Sequence, residues 1–191
     1  MGRDNLNLER LLEEAKEFHG DLCAGIALGT RMSILGLSAL GIDDPKGEDR
    51  KKLIVYVETD RCASDAILSV TGCHPGKRSM KILDYGKMAA TFIDIETGRA
   101  VRVTVKETDM GKGPGESLVD DYVAAPAEEL FQLEEVAVDL RPEDMPGKPL
   151  RVVNCSACGE RVMDMREVMK DGKVLCRPCA EGKRYYRRKE G

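Results

Sequence analysis

Lys87-Met88-Ala89-Ala90-Thr91-Phe92-Ile93-Asp94-Ile95 and Arg99-Ala100-Val101-Arg102-Val103-Thr104-Val105-Lys106 flank the short break Glu96-Thr97-Gly98. Both runs are rich in β-branched residues, and a three-residue break containing glycine reads as a hairpin connection. An antiparallel sheet therefore anchors the fold. Outward from the hairpin, Leu53–Glu58 alternates like a strand and Met80–Leu83 is a further short one. Between them Ser64–Thr71 reads as a helix closed by Gly72. Upstream, Leu8, Leu11, Leu12, Ala15 and Phe18 recur at helical spacing, which predicts a helix from about Asn7 to His19 stopped by Gly20. A second helix runs from near Cys23 to Gly41, with Gly25, Gly29, Ser33 and Gly36 on one stripe where another element approaches its backbone. Downstream, Pro126 opens a helix through Phe131 and Glu135–Leu140 is a last strand. The class is α+β, an antiparallel sheet covered by helices.

The chain has 191 residues, 42% hydrophobic and 34% charged, enough for one ordinary core and a small appendix. That apolar fraction excludes a disordered chain. The start, residues 1–14, is charged and lacks a signal peptide's apolar run. The nearly uncharged stretch from Leu22 to Ile42 contains Arg31 and several glycines, so it reads as a buried helix and not a membrane span. The expectation is a cytoplasmic protein without membrane contact. We divide it into an α+β core over 1–140, a proline-rich linker over 141–150 and a small module over 151–191.

The formal charge of −4 is unevenly spread. Residues 1–150 carry 19 Lys+Arg against 28 Asp+Glu, whereas residues 151–191 carry 11 against 6. Only the last segment suits a polyanion. It also holds Cys155-x2-Cys158 and, after seventeen residues, Cys176-x2-Cys179. Each pair places two sulfurs on a tight turn, the short bite that tetrahedral Zn–S coordination at about 2.3 Å requires. Asp171-Gly172 marks a hairpin between the pairs, from Arg161–Met169 to Lys173–Leu175, and a helix is expected over Ala180–Lys189. This order describes a treble-clef or ribbon zinc module. Four sulfurs close the coordination sphere, so the zinc is read as structural, contributing about 10–16 kcal/mol to folding.

The remaining cysteines, Cys23, Cys62 and Cys73, and both histidines, His19 and His74, stand where elements begin or end. His19 and Cys23 are four apart across the break Gly20-Asp21-Leu22, and Cys62 arrives after a strand, just before a helix. The three together would make a His/Cys/Cys site with a position open for water or ligand. The other reading of the same residues is simple packing, since free cysteine is among the most buried residue types. Asp21 and Asp65 read as turn formers or caps. Gly72–Ser79 imitates a phosphate loop, but its glycines are one residue too close and a strand follows; Gly111–Gly115 also lacks a strand–loop–helix setting. No nucleotide cofactor is predicted, although Lys77 and Arg78 offer point charges to an anion.

Four blocks are familiar: Phe18-His19-Gly20-Asp21-Leu22-Cys23-Ala24-Gly25, Glu58-Thr59-Asp60-Arg61-Cys62-Ala63-Ser64-Asp65-Ala66, Thr71-Gly72-Cys73-His74-Pro75-Gly76-Lys77 and Asp84-Tyr85-Gly86-Lys87. In this order they resemble the E-subunit family of formylmethanofuran dehydrogenase. The resemblance implies an α+β core that tends to homodimerise, with a metal in a cleft beside the His/Cys block and the strand-end cysteine. Carried over by position, it nominates His19, Cys23 and Cys62, and less directly Asp21 and Cys73, for a second zinc or another transition metal. The family often reads His-Gly-His-x-Cys-Pro-Gly; here Asp21 replaces the second His and Ala24 the Pro. The enzyme that names the family works through a molybdenum or tungsten pterin and iron–sulfur clusters on other subunits. No closely spaced Cys triplet for such a cluster exists in this chain. The resemblance therefore implies an accessory, metal-binding component partnered by tungsten or molybdenum oxidoreductase subunits, with an unidentified small molecule in the cleft.

Two other readings stand beside it. Lys183-Arg184-Tyr185-Tyr186-Arg187-Arg188-Lys189 interleaves cations with aromatics and suits nucleic acid, with Arg184, Tyr185, Arg187 and Arg188 as contacts. A thiol enzyme would use Cys62 as catalytic nucleophile and His19 or His74 as base.

Overall fold

The computed structural model describes residues 6–106, 118–187 and 189. They fall into two compact units, 1–139 and 140–191. The segment 141–150, read from sequence as a linker, lies in the second unit.

In the first unit, α1 spans Leu8–His19, one residue later than expected, because Asn7 is its cap: the Asn7 Oδ1 accepts the Arg10 N–H at 2.9 Å. Gly20, at φ 108°, ends it, its N–H donating to the Lys16 carbonyl at 2.8 Å. That left-handed turn is costly for any residue with a Cβ, and it sends the chain back toward α1. The second helix, α2 (Ala24–Leu40), is apolar almost all round and is buried accordingly. Strand β1 covers Leu53–Val57 and α3 covers Cys62–Thr71. The third helix thus begins two residues before the expected Ser64, putting Cys62 inside its first turn. The remaining elements are β2 (Met80–Ile82), β3 (Ala89–Asp94), β4 (Ala100–Val105), the short helices α4 (Val119–Ala124) and α5 (Ala127–Leu130), and β5 (Phe131–Val136).

The strand order is β2-β1-β3-β4-β5. Every pairing is antiparallel except β1–β2, which is parallel with Val55 opposite Met80. The predicted hairpin is present, closing with Ile93 opposite Ala100 and the Gly98 N–H on the Asp94 carbonyl at 2.8 Å. The last strand departs from the sequence reading. It starts at Phe131, not Glu135, because buried Phe131 and Leu130 join the core and pull the chain onto β4. The helix after Pro126 is left with a single turn. As an exposed edge rich in Gln and Glu, β5 carries little apolar alternation to announce it.

Leu53, Val55, Val57, Ala90, Phe92, Val101 and Val103 send one face of the sheet into a core shared with Leu28, Met32, Leu37 and Ile67. The small-residue stripe of α2 works as anticipated. A Cβ on Gly29 would sit 2.8 Å from the Ala63 carbonyl oxygen, and one on Gly36 would sit 2.3 Å from Phe92. The opposite face is more polar. There Arg102 grips Glu58 with two hydrogen bonds, Nε–Oε1 at 2.7 Å and Nη2–Oε2 at 2.9 Å. The Arg102 hydrogen bonds hold the Glu58 carboxyl below the usual range and fix the end of β1 that leads into the Thr59–Arg61 loop.

The second unit holds two hairpins: β6 (Val152–Asn154) with β7 (Arg161–Met163), and β8 (Val168–Lys170) with β9 (Lys173–Leu175). The expected Asp171-Gly172 turn is present with both φ positive, 51° and 72°, as a two-residue hairpin loop requires. Helix α6 spans Arg177–Glu181 with Cys176 as its cap and Gly182 as its stop. It is shorter and earlier than the expected Ala180–Lys189, because Gly182 ends it. Among the described residues the buried apolar core is Cys155, Val162, Leu175 and Ala180, with the other three cysteines packed against it. So small a core does not hold a unit of this size by itself. Among the described residues, no helix is long and apolar enough to cross a membrane.

Candidate metal centres

Three separate elements deliver the first cluster. His19 is the last residue of α1, Cys23 is the N-cap of α2, and Cys62 is the first residue of α3. The Gly20 turn folds Cys23 back over His19. Gly25 admits α3 from the other side, since a Cβ there would lie 2.8 Å from the Cys62 Cβ and 3.7 Å from the Cys23 Sγ. A ligand atom from each of His19, Cys23 and Cys62 lies within 4.8 Å of the others. In tetrahedral zinc, bonds of about 2.0–2.3 Å set ligand atoms roughly 3.4–3.8 Å apart. The three groups are thus close enough for a small shift of side chains to close them on one ion.

His19 is oriented from behind. Its Nδ1 lies 2.8 Å from the Asp65 Oδ2. A carboxylate only accepts, so Nδ1 donates its proton and Nε2 keeps the lone pair for a ligand. Asp65 stands three residues after Cys62 on the same helix face, and that spacing is the sequence signal that reading it as a cap passed over. Asp21 is mostly exposed; its Oδ1 lies 3.6 Å from the His19 Nε2, outside the three-group cluster. Ala15, Ile26 and Ala66 form a buried apolar floor under Cys23 and Cys62, while Phe18 and Leu22 beside them are exposed. The Cys23 thiol, by its hydrogen bond, and partial burial push the Cys62 thiol up. Two sulfhydryls side by side resist ionising together, and a divalent cation between them reverses that preference.

Other nominated residues lie elsewhere. Cys73 is buried in the main core, its Sγ 3.7 Å from the Leu53 carbonyl, and burial pushes its thiol up. It belongs to neither of the two candidate metal-ligand clusters among the described residues. The helix that carries Cys62 at its start ends before Cys73, so about ten residues of rigid α3 hold the two apart. His74 likewise stays out of the Cys62 cluster, its backbone N–H donating to the Ser79 Oγ at 3.0 Å. Lys77 ends a one-turn 3-10 helix and Arg78 takes φ 61° before β2, with no long helix following as a phosphate loop needs. Arg188 and the Gly111–Gly115 run lie outside the described residues.

The second cluster is in the second unit. The Sγ atoms of Cys155, Cys158, Cys176 and Cys179 lie within 4.8 Å of one another, and those of Cys158 and Cys176 are 3.9 Å apart. That separation is close to the roughly 3.8 Å edge of a ZnS4 tetrahedron. The backbone N–H groups of Cys176 and Cys158 bring the Cys155 thiol down to about 6. At Cys158 the Glu160 N–H acts to lower the thiol, but burial and the neighbouring sulfurs outweigh it and carry it to about 12. Zinc resolves this conflict by stabilising all four thiolates together. Arg184 completes the surroundings, its Nη2 3.8 Å from the Cys179 Sγ.

Comparison with known proteins agrees with this division. A crystal structure of a tungsten formylmethanofuran dehydrogenase E-subunit (FmdE)-like protein from Syntrophus aciditrophicus superposes with a TM-score of 0.63 at 26% identity. The superposition covers 94% of this chain and 95% of that one. A protein of Archaeoglobus fulgidus described as a probable S-adenosyl-L-methionine-binding protein is 38% identical over 109 residues, which are 55% of this chain and 29% of that protein. This chain therefore spans less than a third of that relative. Residues 148–185 match the prokaryotic dksA/traR C4-type zinc finger, so the four-cysteine cluster is a zinc-finger motif. Residues 18–133, more than half of the chain, match the family described as FmdE, molybdenum formylmethanofuran dehydrogenase operon, and the protein belongs to that FmdE family.

Proposed function

We propose that this protein is an accessory, metal-binding component for an oxidoreductase of the formylmethanofuran dehydrogenase type. In this reading it carries a structural zinc in its C4 finger and a second transition metal on His19, Cys23 and Cys62. The observation that carries the second site is the convergence of those three groups within 4.8 Å, from positions up to 43 apart in sequence. With three protein ligands, one coordination position stays available to water or a small molecule, whereas the four-sulfur site is closed. The metal would act there as a Lewis acid or an anchoring point. The protein would form a homodimer in the cytoplasm and associate with tungsten or molybdenum oxidoreductase subunits. The S-adenosyl-L-methionine in the name of the Archaeoglobus relative is not carried over, because the match covers 29% of that protein.

Metal analysis tests this directly. The reading expects two metal ions per chain, one of them readily removed by a mild chelator. A His19→Ala/Cys62→Ser variant should keep one. A single tightly held ion in both proteins would overturn the second site. Co-elution with purified formylmethanofuran dehydrogenase catalytic subunits tests the accessory role, and light scattering tests the dimer.

A thiol-enzyme reading gains one point from the structure, for Asp65 supplies His19 with an orienting carboxylate. It loses more from the neighbouring Cys23 thiol, which raises the thiol a nucleophile needs lowered. Rapid alkylation of Cys62 at neutral pH in metal-stripped protein would reverse that ranking.

A further inference from the structure

The end of the second unit carries side chains that neither metal centre uses. Helix α6 stops at Gly182, and the exposed segment from Lys183 to Arg187 follows. Arg184 turns back onto the finger. Its guanidinium lies 5.7 Å from the centroid of the Tyr186 ring, while Nη2 reaches the Cys179 Sγ at 3.8 Å. Tyr186 in turn meets Tyr185 edge to face, with centroids 5.1 Å apart and planes at 74°. The outermost ring is bare: Tyr185 is 101% exposed. The result is a chain of contacts running from a sulfur of the zinc finger, through Arg184 and Tyr186, to a fully exposed aromatic ring.

Cations predominate around that ring, although Glu160 interacts electrostatically with Arg184 and Glu181 is exposed at the end of α6. Lys183, Arg184, Arg187 and Lys189 are exposed. Lys173 and Arg177, also exposed, flank Cys176 in sequence. No ion pair among the described residues occupies Lys183, Arg184 or Arg187. Residues 151–191 carry 11 Lys+Arg against 6 Asp+Glu. Four thiolates on a divalent ion remove only part of that excess, leaving about +3. A solubilising tail would explain the cations but not the adjacent pair of tyrosines, whose rings cost solubility when exposed.

We propose that the Lys183–Arg187 segment is a binding site for single-stranded nucleic acid, with Tyr185 stacking on a base and Lys183, Arg187 and Lys189 meeting phosphates. Stacking on an exposed ring is tolerant of base identity, and cations on either side follow a flexible backbone. A duplex keeps its base faces covered and leaves Tyr185 without a partner. An acidic polypeptide satisfies the charge but leaves the aromatic ring unused. Arg184 ties the platform to Cys179, so the site depends on a metal-loaded finger.

The test is fluorescence anisotropy of the full-length, zinc-loaded protein with a labelled oligothymidylate of about 20 nucleotides, from about 50 to 300 mM KCl. With three or four phosphates neutralised, affinity should fall with a log–log slope of roughly −2 to −3. Tyr185→Ala should weaken binding roughly 5- to 150-fold and leave the slope unchanged. Lys183→Gln/Arg187→Gln should flatten the slope by about 1.4. None of these side chains is a zinc ligand, so each variant should retain its finger metal. Absence of binding at the lowest salt, an unaltered affinity for Tyr185→Ala, or equally tight binding of polyglutamate would each overturn the proposal.

Discussion

Asp65 holds His19 across the gap between α3 and α1, its Oδ2 2.8 Å from the imidazole Nδ1, and so fixes which nitrogen the core cluster presents. The carboxylate and Cys62 share one face of α3, so a single helix supplies both a candidate ligand and the support for another. Asp65→Asn should therefore weaken metal binding at the core cluster about 10- to 100-fold while sparing the zinc finger. Chelator competition on the intact protein measures it. Unchanged affinity would separate Asp65 from the metal chemistry and return it to the role of a turn residue.

Gly29→Ala should destabilise the first unit by about 1–3 kcal/mol. The added Cβ would lie 2.8 Å from the Ala63 carbonyl oxygen and 2.9 Å from the Ala63 Cα, backbone atoms that do not swing aside. To relieve the clash, α3 must move off α2, and Cys62 moves with it. Thermal unfolding and metal content should fall together. Gly76→Ala, where nothing lies within 4 Å, is the neutral control.

Removing one sulfur from the finger should unfold the second unit. Among the described residues its core consists of Val162, Leu175, Ala180 and the cysteines themselves, so the metal supplies the missing stability, about 10–16 kcal/mol for a site of this kind. Cys176→Ser should make residues 140–191 protease-sensitive while the first unit keeps its unfolding transition. Persistent protection of that unit after complete zinc removal would contradict the assignment of a structural metal.

The Glu58–Arg102 pair sets an acid limit for the core. The carboxyl is lowered chiefly by the Arg102 hydrogen bonds against the cost of burial. A carboxyl depressed in the folded state adds stability at pH values above its unfolded pKa of about 4.3, and that contribution disappears as pH falls through the lower folded value. Glu58→Gln should cost about 1–3 kcal/mol at neutral pH. The gap to the wild type should close as acid protonates Glu58. A gap of constant size in chemical denaturation from neutral pH down to about pH 3 would show that the pair is not linked to proton uptake.

Sequence alone determined what short-range chemistry encodes. The spacing of Cys155, Cys158, Cys176 and Cys179 places two pairs of sulfurs on tight turns, and a metal needs little more than that to draw them together. The hairpin around Glu96–Gly98 and the end of α1 at Gly20 were legible for the same reason, since a turn and a cap are decided by neighbours. The family blocks likewise pointed to His19, Cys23 and Cys62. Tertiary structure alone decided which cysteines meet. Cys23 and Cys62 come together because glycines on α2 let α3 approach, while Cys73, nominated less directly by the resemblance, is carried into the hydrocarbon core at the far end of the same helix. The start of β5 and the partnership of Asp65 with His19 were hidden in the same way. Periodicity reports which face of an element is apolar; it is silent on which element that face will meet.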